Sequence, residues 1–172
     1  MSRKPDTPEH EAKCERCGVA CQAAVPIGDR QIVIPQLYCT FYGTAPDGKP
    51  GCTVYEDRFE KAPWCMHTDQ AKLQAALRIG CPYNFPDVPL GKERVSDEEY
   101  LRLWPKIVEH LLAHPNVQPN FTWDRFFAWA HKMDPEHRWS LKTNVAGTAG
   151  RIVRTKTAWG RLRSSLVRKR SK

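Results

Sequence analysis

The amino-acid sequence predicts an α+β chain, in which a small, irregular, cysteine-rich module is followed by a helical region and a basic C-terminal helix or tail. All seven cysteines lie between Cys14 and Cys81. Apolar residues recur at helical spacing after Ser96. Between His137 and Lys172 there are eleven Lys and Arg residues and no Asp or Glu. These three observations separate a cysteine-rich half from a helical half with a strongly basic end.

Composition sets the expected boundaries of the parts. Residues 1–13 are polar and are predicted to be disordered. Residues 14–95 form the cysteine-rich module, residues 96–149 the helical region, and residues 150–172 the basic helix or tail. The module contains few long apolar runs, so it needs a source of folding free energy besides its own core.

The spacing of the cysteines is typical of metal ligands. Cys14 and Cys17 form a Cys-x-x-Cys pair, and an imidazole at His67 lies two residues after a cysteine. Seven thiols and one imidazole suffice for two closed tetrahedral zinc sites of four ligands each. The candidate ligands are Cys14, Cys17, Cys21, Cys39, Cys52, Cys65, His67 and Cys81. Metal coordination would supply the folding free energy that the module lacks, which makes it a metal-stabilised module.

Several alternatives stay open at this point. Iron, or an iron–sulfur cluster, suits thiol ligands as zinc does, although the spacing matches neither common ferredoxin pattern. His67 is either a ligand or a surface histidine beside one. A disulfide framework would leave one of seven thiols unpaired. The N-terminal residues lack the apolar stretch of a secretory signal and no stretch is apolar enough to span a membrane, so the sequence predicts a reducing, cytoplasmic location.

Short elements are expected within the module. Cys14 to Gly18 is typical of a metal knuckle, in which a glycine permits the turn. Turn residues at 45–51 predict a hairpin that would bring Cys39 near Cys52. The remaining expected elements are a strand at 31–34 ended by Pro35, a strand at 37–42, a returning strand at 52–55 and a short helix at 70–77.

Capping signals predict helices in the second half. Ser96 and Glu99 form a capping box before an apolar run, and Pro105 either kinks that helix or begins a new one. Thr122 can cap a further helix, and Asp134 with the following proline predicts another helix start. The aromatic side chains could stack on bases, but their helical spacing favours a core: Trp104, Trp123, Phe126, Phe127 and Trp129.

The C-terminal segment predicts a basic helix. From about Gly150 to Lys169, four apolar residues fit a helical stripe: Ile152, Trp159, Leu162 and Leu166. Its cations are the expected contacts to the phosphates of DNA or RNA: Arg151, Arg154, Lys156, Arg161, Arg163, Arg168, Lys169 and Arg170. Two other interpretations stay open, namely a tail that only aids solubility and a tail that docks an acidic protein or a membrane surface.

The cysteine pattern resembles that of the YkgJ-type family of small bacterial and phage proteins, described as zinc- or iron-chelating cysteine-rich domains. The resemblance covers residues 14 to about 83. It lies in Cys14-Glu-Arg-Cys17-Gly18-Val-Ala20-Cys21, Leu37-Tyr38-Cys39, Cys52-Thr53-Val54-Tyr55-Glu56-Asp57-Arg58, Pro63-Trp64-Cys65 and Cys81-Pro82-Tyr83. Ala20 stands where the family has the first of two adjacent cysteines, which makes His67 a candidate replacement ligand. The resemblance implies metal chelation without a defined reaction.

These observations predict a metal-binding cytoplasmic accessory protein, with zinc favoured over iron, a structural metal site and a basic end that contacts nucleic acid. The alternatives are an iron–sulfur, redox or enzymatic protein that uses the cysteines directly, and an interaction scaffold. The sequence indicates no catalytic residue: there is no phosphate-binding glycine loop, no nucleophile elbow and no metalloprotease or deaminase zinc motif.

Overall fold

The computed structural model describes Thr7, residues 12–84, 90–114 and 116–158, and Arg161. The chain is α+β, with both helices and strands. It divides into two compact units. The first contains residues up to 34 and from 38 to 95, and the second contains residues 35–37 and those from 96 onwards.

A three-stranded sheet forms the centre of the first unit. Strand β1 (Gln22–Ile27) pairs antiparallel with β2 (Arg30–Tyr38) across a two-residue turn. A short strand β5 (Lys92–Glu93) lies parallel to β2 on its other side. Pro35 was expected to end the strand predicted at 31–34, and this was wrong, because β2 continues through Pro35 to Tyr38. The register shifts between Gln22 and Ala24, so Pro35 lies in a stretch of β2 without a residue partner, where its missing N–H costs no ladder bond.

A small hairpin follows the sheet. Strand β3 (Tyr42–Thr44) pairs with β4 (Pro50–Cys52), as the turn residues predicted. The expected bounds were wrong in detail. Cys39 forms a β-bridge and residues 40–41 a turn, which divide the strand expected at 37–42, and the returning strand ends at Cys52 instead of continuing to residue 55.

Two short helices complete the first unit. Helix α1 (Arg58–Lys61) was not predicted, and its single turn is too short to show a periodic pattern. Helix α2 (Thr68–Leu73) begins two residues before the predicted helix and ends four residues earlier. Ala71 of this helix and two residues beyond it, Ala76 and Leu77, are buried and pack against Cys81 and Tyr83.

The second unit begins with two helices. Helix α3 (Asp97–Ala113) starts at the predicted cap, where the Ser96 side chain accepts a hydrogen bond from the Glu99 amide at 3.2 Å. It runs through Pro105 as one helix. Helix α4 (Trp123–Met133) begins after Thr122, as expected, although the Thr122 side chain makes no capping hydrogen bond. It carries the predicted core aromatics except Trp104, which lies on α3. Phe126 is fully buried and Trp123 nearly so, which confirms the core interpretation for these two, and the other three are half-buried.

An antiparallel hairpin corrects two predictions for the second unit. Strand β6 (His137–Thr143) occupies the place of the helix expected after Asp134. Strand β7 (Gly150–Lys156) replaces the first part of the predicted C-terminal helix. The two strands pair from His137↔Lys156 to Thr143↔Gly150 without a shift of register. Trp159, Leu162 and Leu166 of the predicted helical stripe lie outside the described residues.

Over the part of the chain that the structure describes, no helix is both long and apolar enough to cross a lipid bilayer. The polar N-terminal segment lies outside the described residues, apart from Thr7, Ala12 and Lys13.

Candidate metal centre and basic surface

Backbone pairing brings Cys21 and Cys39 together. Cys21 lies at the end of a 3-10 turn just before β1, and Cys39 directly follows β2. Because Gln22 pairs with Tyr38, the next residues outward on the two strands lie opposite each other. The amide of Cys39 donates to the carbonyl of Cys21 at 2.7 Å, which continues the ladder by one step.

The hairpin adds Cys52 to this pair. Tyr42 pairs directly with Cys52, and the amide of Tyr42 donates to the carbonyl of Cys39 at 2.9 Å. Only a tight turn therefore separates Cys39 from Tyr42, which lies opposite Cys52. Cys65 arrives from the segment after α1, where its amide donates to the carbonyl of Ala62 at 2.8 Å.

Stacking of Trp64 on Phe41, with ring centroids 6.0 Å apart, anchors Cys65 beside the same turn. Four separate segments thus contribute one thiol each to a four-thiol group, which consists of Cys21, Cys39, Cys52 and Cys65.

The electrostatics of Cys21 show that these thiols are neighbours. Burial first, and then the negative charges of Cys39, Cys52 and Cys65, raise the pKa of Cys21 from 9.0 to about 12. Burial also raises the pKa of Cys52 and of Cys65, with Cys39 again contributing repulsion to both. Burial and the repulsion from neighbouring thiolates therefore favour the protonated forms of Cys21, Cys52 and Cys65 in the metal-free protein.

The other three cysteines form a three-thiol group, which consists of Cys14, Cys17 and Cys81. Burial raises the pKa of Cys81, and the charges of Cys17 and Cys14 add to the shift. An ion pair between Glu15 and Arg78 joins the Cys14–Cys17 loop to the segment before Cys81.

Peptide amides already face several of the sulfurs. The amide of Arg16 donates to the Cys14 sulfur at 3.4 Å. The amides of Val54 and Tyr83 lower the pKa of Cys52 and Cys81 in the same way, each from two residues further along the chain. An N–H group that points at sulfur favours the thiolate, which is the form that binds metal.

Gly18 closes the knuckle that holds Cys17. Its φ of 74° lies in the left-handed region, and a methyl group there would collide with the Tyr42 hydroxyl. Tyr42 is held in place by stacking on Tyr38, with ring centroids 4.7 Å apart. A glycine is therefore needed at position 18, both because its backbone is left-handed and because there is no room for a Cβ atom.

Two cations, Lys92 and Arg94, bind backbone carbonyls close to the cysteines. The Lys92 ammonium donates to the carbonyls of Val19, Ala20 and Gln22 at 3.4, 3.2 and 2.5 Å, on both sides of Cys21. Burial lowers the pKa of Lys92 to about 8, and the charge of Cys21 opposes this shift. Arg94 donates to the carbonyl of Cys17 at 2.9 Å and to the Gln22 side chain.

Arg58 is a further cation next to the thiols. Its side chain is buried, donates to the carbonyl of Tyr55 at 2.8 Å and lies 3.8 Å from the centre of the Tyr55 ring. Its charge lowers the pKa of Cys52 and Cys65 and so favours their thiolates. Sequence reasoning missed both Lys92 and Arg94, because a single lysine or arginine distant from the cysteines carries no local signal.

His67 lies at the start of α2, where its ring stacks on Phe59 with centroids 4.1 Å apart. Its Nε2 atom is buried and has no hydrogen-bond partner among the described residues. Gln70 accepts a hydrogen bond from the His67 amide at 3.3 Å, which fixes the backbone of the cap. The ring nitrogen is therefore available as a ligand, and whether it binds metal stays a prediction.

The donor chemistry fits a thiophilic metal, but the side chains do not yet converge on an ion. All seven cysteines are free thiols. Within the described ranges, no group of three or more His, Cys, Asp or Glu side chains has an arrangement that could hold a metal ion. Among the described residues, the backbone brings the segments that carry Cys21, Cys39, Cys52 and Cys65 together without placing their sulfurs in a metal-binding arrangement.

The predicted phosphate-binding cations are dispersed. Arg151 and Lys156 are exposed on β7 and Arg161 is exposed beyond it. Arg154 points inward, where its guanidinium binds the Asp134 carboxylate at 2.7 and 2.8 Å and lies 5.5 Å from the Trp139 ring. We therefore exclude Arg154 from the expected phosphate contacts. Arg163, Arg168, Lys169 and Arg170 lie outside the described residues.

Comparison with known proteins adds no relative: no family model, no curated protein and no solved structure matches the chain. The resemblance to the YkgJ-type family accordingly stays a prediction drawn from the cysteine pattern.

Proposed function

We propose that the first unit is a metal-binding module whose four-thiol group holds one thiophilic ion, zinc in preference to iron, and that the ion is structural. The observation that carries the proposal is that the backbone brings together four separate segments that carry Cys21, Cys39, Cys52 and Cys65. Four thiol ligands match the closed tetrahedral coordination of structural zinc. We further propose that the protein acts in the reducing cytoplasm as an accessory protein, since free thiols persist there.

The charges around the group support a divalent ion. Four thiolates and one divalent cation carry a net charge of about −2 by the arithmetic of closed zinc sites. Lys92 and Arg58 lie beside the thiols and supply two positive charges. Burial disfavours the charged form of Lys92 in the metal-free protein. A metal ion with four thiolates would be anionic and would give the Lys92 ammonium a counter-charge. When bound, zinc would link four segments of the chain and so add folding free energy.

The three-thiol group supports a second ion with a different character. Cys14, Cys17 and Cys81 provide three ligands, one short of a closed tetrahedral site. This missing ligand is the observation that favours the alternative function, in which an iron or iron–sulfur centre acts in redox or enzymatic chemistry. His67 lies against Phe59, on the segment that carries Cys65.

Metal content of matched variants tests the proposal. Full-length protein purified without oxygen should contain about two zinc ions per chain by elemental analysis, one for each thiol group. Cys52→Ser and Cys81→Ser each remove one thiol, and each should lower the content to about one. Circular dichroism should show that the helices of the second unit persist in both.

Metal-free wild-type protein, or equal metal content in all three proteins, would overturn the proposal. A brown protein that absorbs near 400 nm and contains stoichiometric iron and sulfide would replace zinc by the iron–sulfur alternative.

A further inference from the structure

The hairpin β6–β7 presents two chemically different faces. Trp139 and Ile152 are buried on the inner face, where Trp139 packs against Trp104 and Phe126 at centroid distances of 5.5 and 6.1 Å. Side chains alternate along a strand, so the neighbours of these residues face outward. The outer face carries Arg138, Ser140, Lys142, Arg151, Val153 and Thr155, and all of these except Val153 are exposed. We call this outer face the basic ribbon.

The ribbon is fixed in its orientation. All seven residue pairs of the hairpin keep one register, so no residue can switch faces without breaking the ladder. At one end, Asp134 binds both Arg154 and His137, the latter at 2.8 Å. At the other end, the Asn144 side chain accepts hydrogen bonds from the amides of Thr148 and Ala149 at 2.9 and 3.3 Å, which orders the connecting loop. The three cations therefore stand on a rigid support.

The charges of the ribbon lack a counter-charge. Lys142 pairs directly with Arg151 across the two strands, which places two positive charges side by side. Like charges in this position destabilise a hairpin. The sequence has no Asp or Glu from His137 to its last residue, and no ion pair of Arg138, Lys142 or Arg151 is found among the described residues. An anionic partner would relieve this repulsion.

We infer that the basic ribbon of β6 and β7 binds the phosphate backbones of duplex DNA. Arg138 and Lys142 are four residues apart on β6, which corresponds to about 14 Å along a strand. The major groove of B-form DNA is about 12 Å wide and admits a two-stranded β-ribbon. Arg138 can thus reach one backbone while Lys142 and Arg151 reach the other. The deep, narrow major groove of A-form RNA does not admit such a ribbon.

This inference does not depend on the metal. It also differs from the predicted basic helix, because the ribbon includes Arg138 and Lys142, which the helix did not contain, and excludes the inward-facing Arg154. No base-reading pattern is recognisable on the ribbon, so the contacts are to phosphates and little sequence preference is expected.

Salt dependence of binding tests the ribbon in the full-length protein. Labelled duplex DNA of random sequence is titrated at salt concentrations from about 50 to 200 mM, with wild-type protein and with R138Q/K142Q/R151Q. Each phosphate contact contributes about 0.9 to the slope of log affinity against log salt, so the triple variant should lose about 2.7 from the slope. Over that range the wild-type affinity should fall roughly 40-fold more than that of the variant.

A charge-matched control separates the ribbon from a general charge effect. R102Q/K106Q/K132Q removes three exposed cations from α3 and α4 and should keep the wild-type slope. The single variant R138Q should lose about 0.9, which confirms the assignment without a large change in charge.

Equal slopes for the two triple variants would overturn the ribbon, as would an absence of DNA binding by the wild type at low salt. Tighter binding to duplex RNA, to an acidic protein or to anionic vesicles than to DNA would overturn the choice of partner.

Discussion

Metal binding by the four-thiol group should release protons in a number that the buried thiols determine. Burial and mutual repulsion raise the pKa of Cys21 to about 12, and the pKa values of Cys52 and Cys65 are also raised above 9.0. These three thiols are therefore protonated at pH 7 in the metal-free protein. Each must lose its proton to become a ligand, so binding of one ion releases at least three protons.

The magnitude follows from this count. Between about pH 6 and 7.5, the logarithm of the apparent zinc binding constant should rise by at least about three per pH unit, roughly a thousandfold or more in affinity. Cys21→Ser removes one of the titrating thiols and should reduce the slope by about one, with weaker binding throughout. Both measurements use a Cys81→Ser background, in which only the four-thiol group remains complete.

Competition against a chromophoric zinc chelator at several pH values gives the slope. Calorimetry in two buffers with different ionisation enthalpies counts the released protons independently. A slope of one or less in the Cys81→Ser protein would refute the reasoning, because it would mean that the buried thiols are not the ligands. An unchanged slope in the Cys21→Ser variant would remove Cys21 from the site.

Two further predictions concern stability. Asp134→Asn removes the counter-charge of Arg154 and should lower the free energy of unfolding of the second unit by about 1.5 kcal/mol in urea denaturation, whereas Glu109→Gln on the exposed side of α3 should change it by less than about 0.5 kcal/mol. Gly91→Ala would place a methyl group 2.8 Å from a backbone carbonyl oxygen and should destabilise the first unit by about 2 kcal/mol. The control Gly43→Ala makes only an ordinary contact at 3.5 Å. Equal destabilisation by the two variants would exclude the steric cause.

Local signals were sufficient where one short segment determines the structure. Ser96 and Glu99 predicted the start of α3 because the cap is made by residues three apart. The aromatic residues of α4 were correctly assigned to a core because their spacing matches a helix with one buried side. The sequence left open whether Pro105 kinks its helix or begins a new one. In the structure, Pro105 lies inside one continuous helix.

Long-range pairing determined what local patterns could not. Ile152 and its helically spaced apolar partners predicted a helix, but residues 150–156 form a strand. Ile152, Val153 and Thr155 are β-branched and favour extended structure, and the exposed Arg151 lies between two buried residues. The deciding contact is the pairing with β6, whose own segment was predicted to be helical. Because the segment of β6 was predicted to be a helix, no partner strand was available to indicate that residues 150–156 are extended.

The division of the cysteines shows the same limit at the candidate site. Cys14, Cys17 and Cys21 are close in sequence, which favours a shared ion. The structure separates them instead, because Val19 and the 3-10 turn lead the chain into β1 and bring Cys21 opposite Cys39. Cys81 instead lies near Cys14 and Cys17, although it is more than 60 residues away from both in the chain. Residue types make these thiols candidate metal ligands, but only the strand register determines which of them could share an ion.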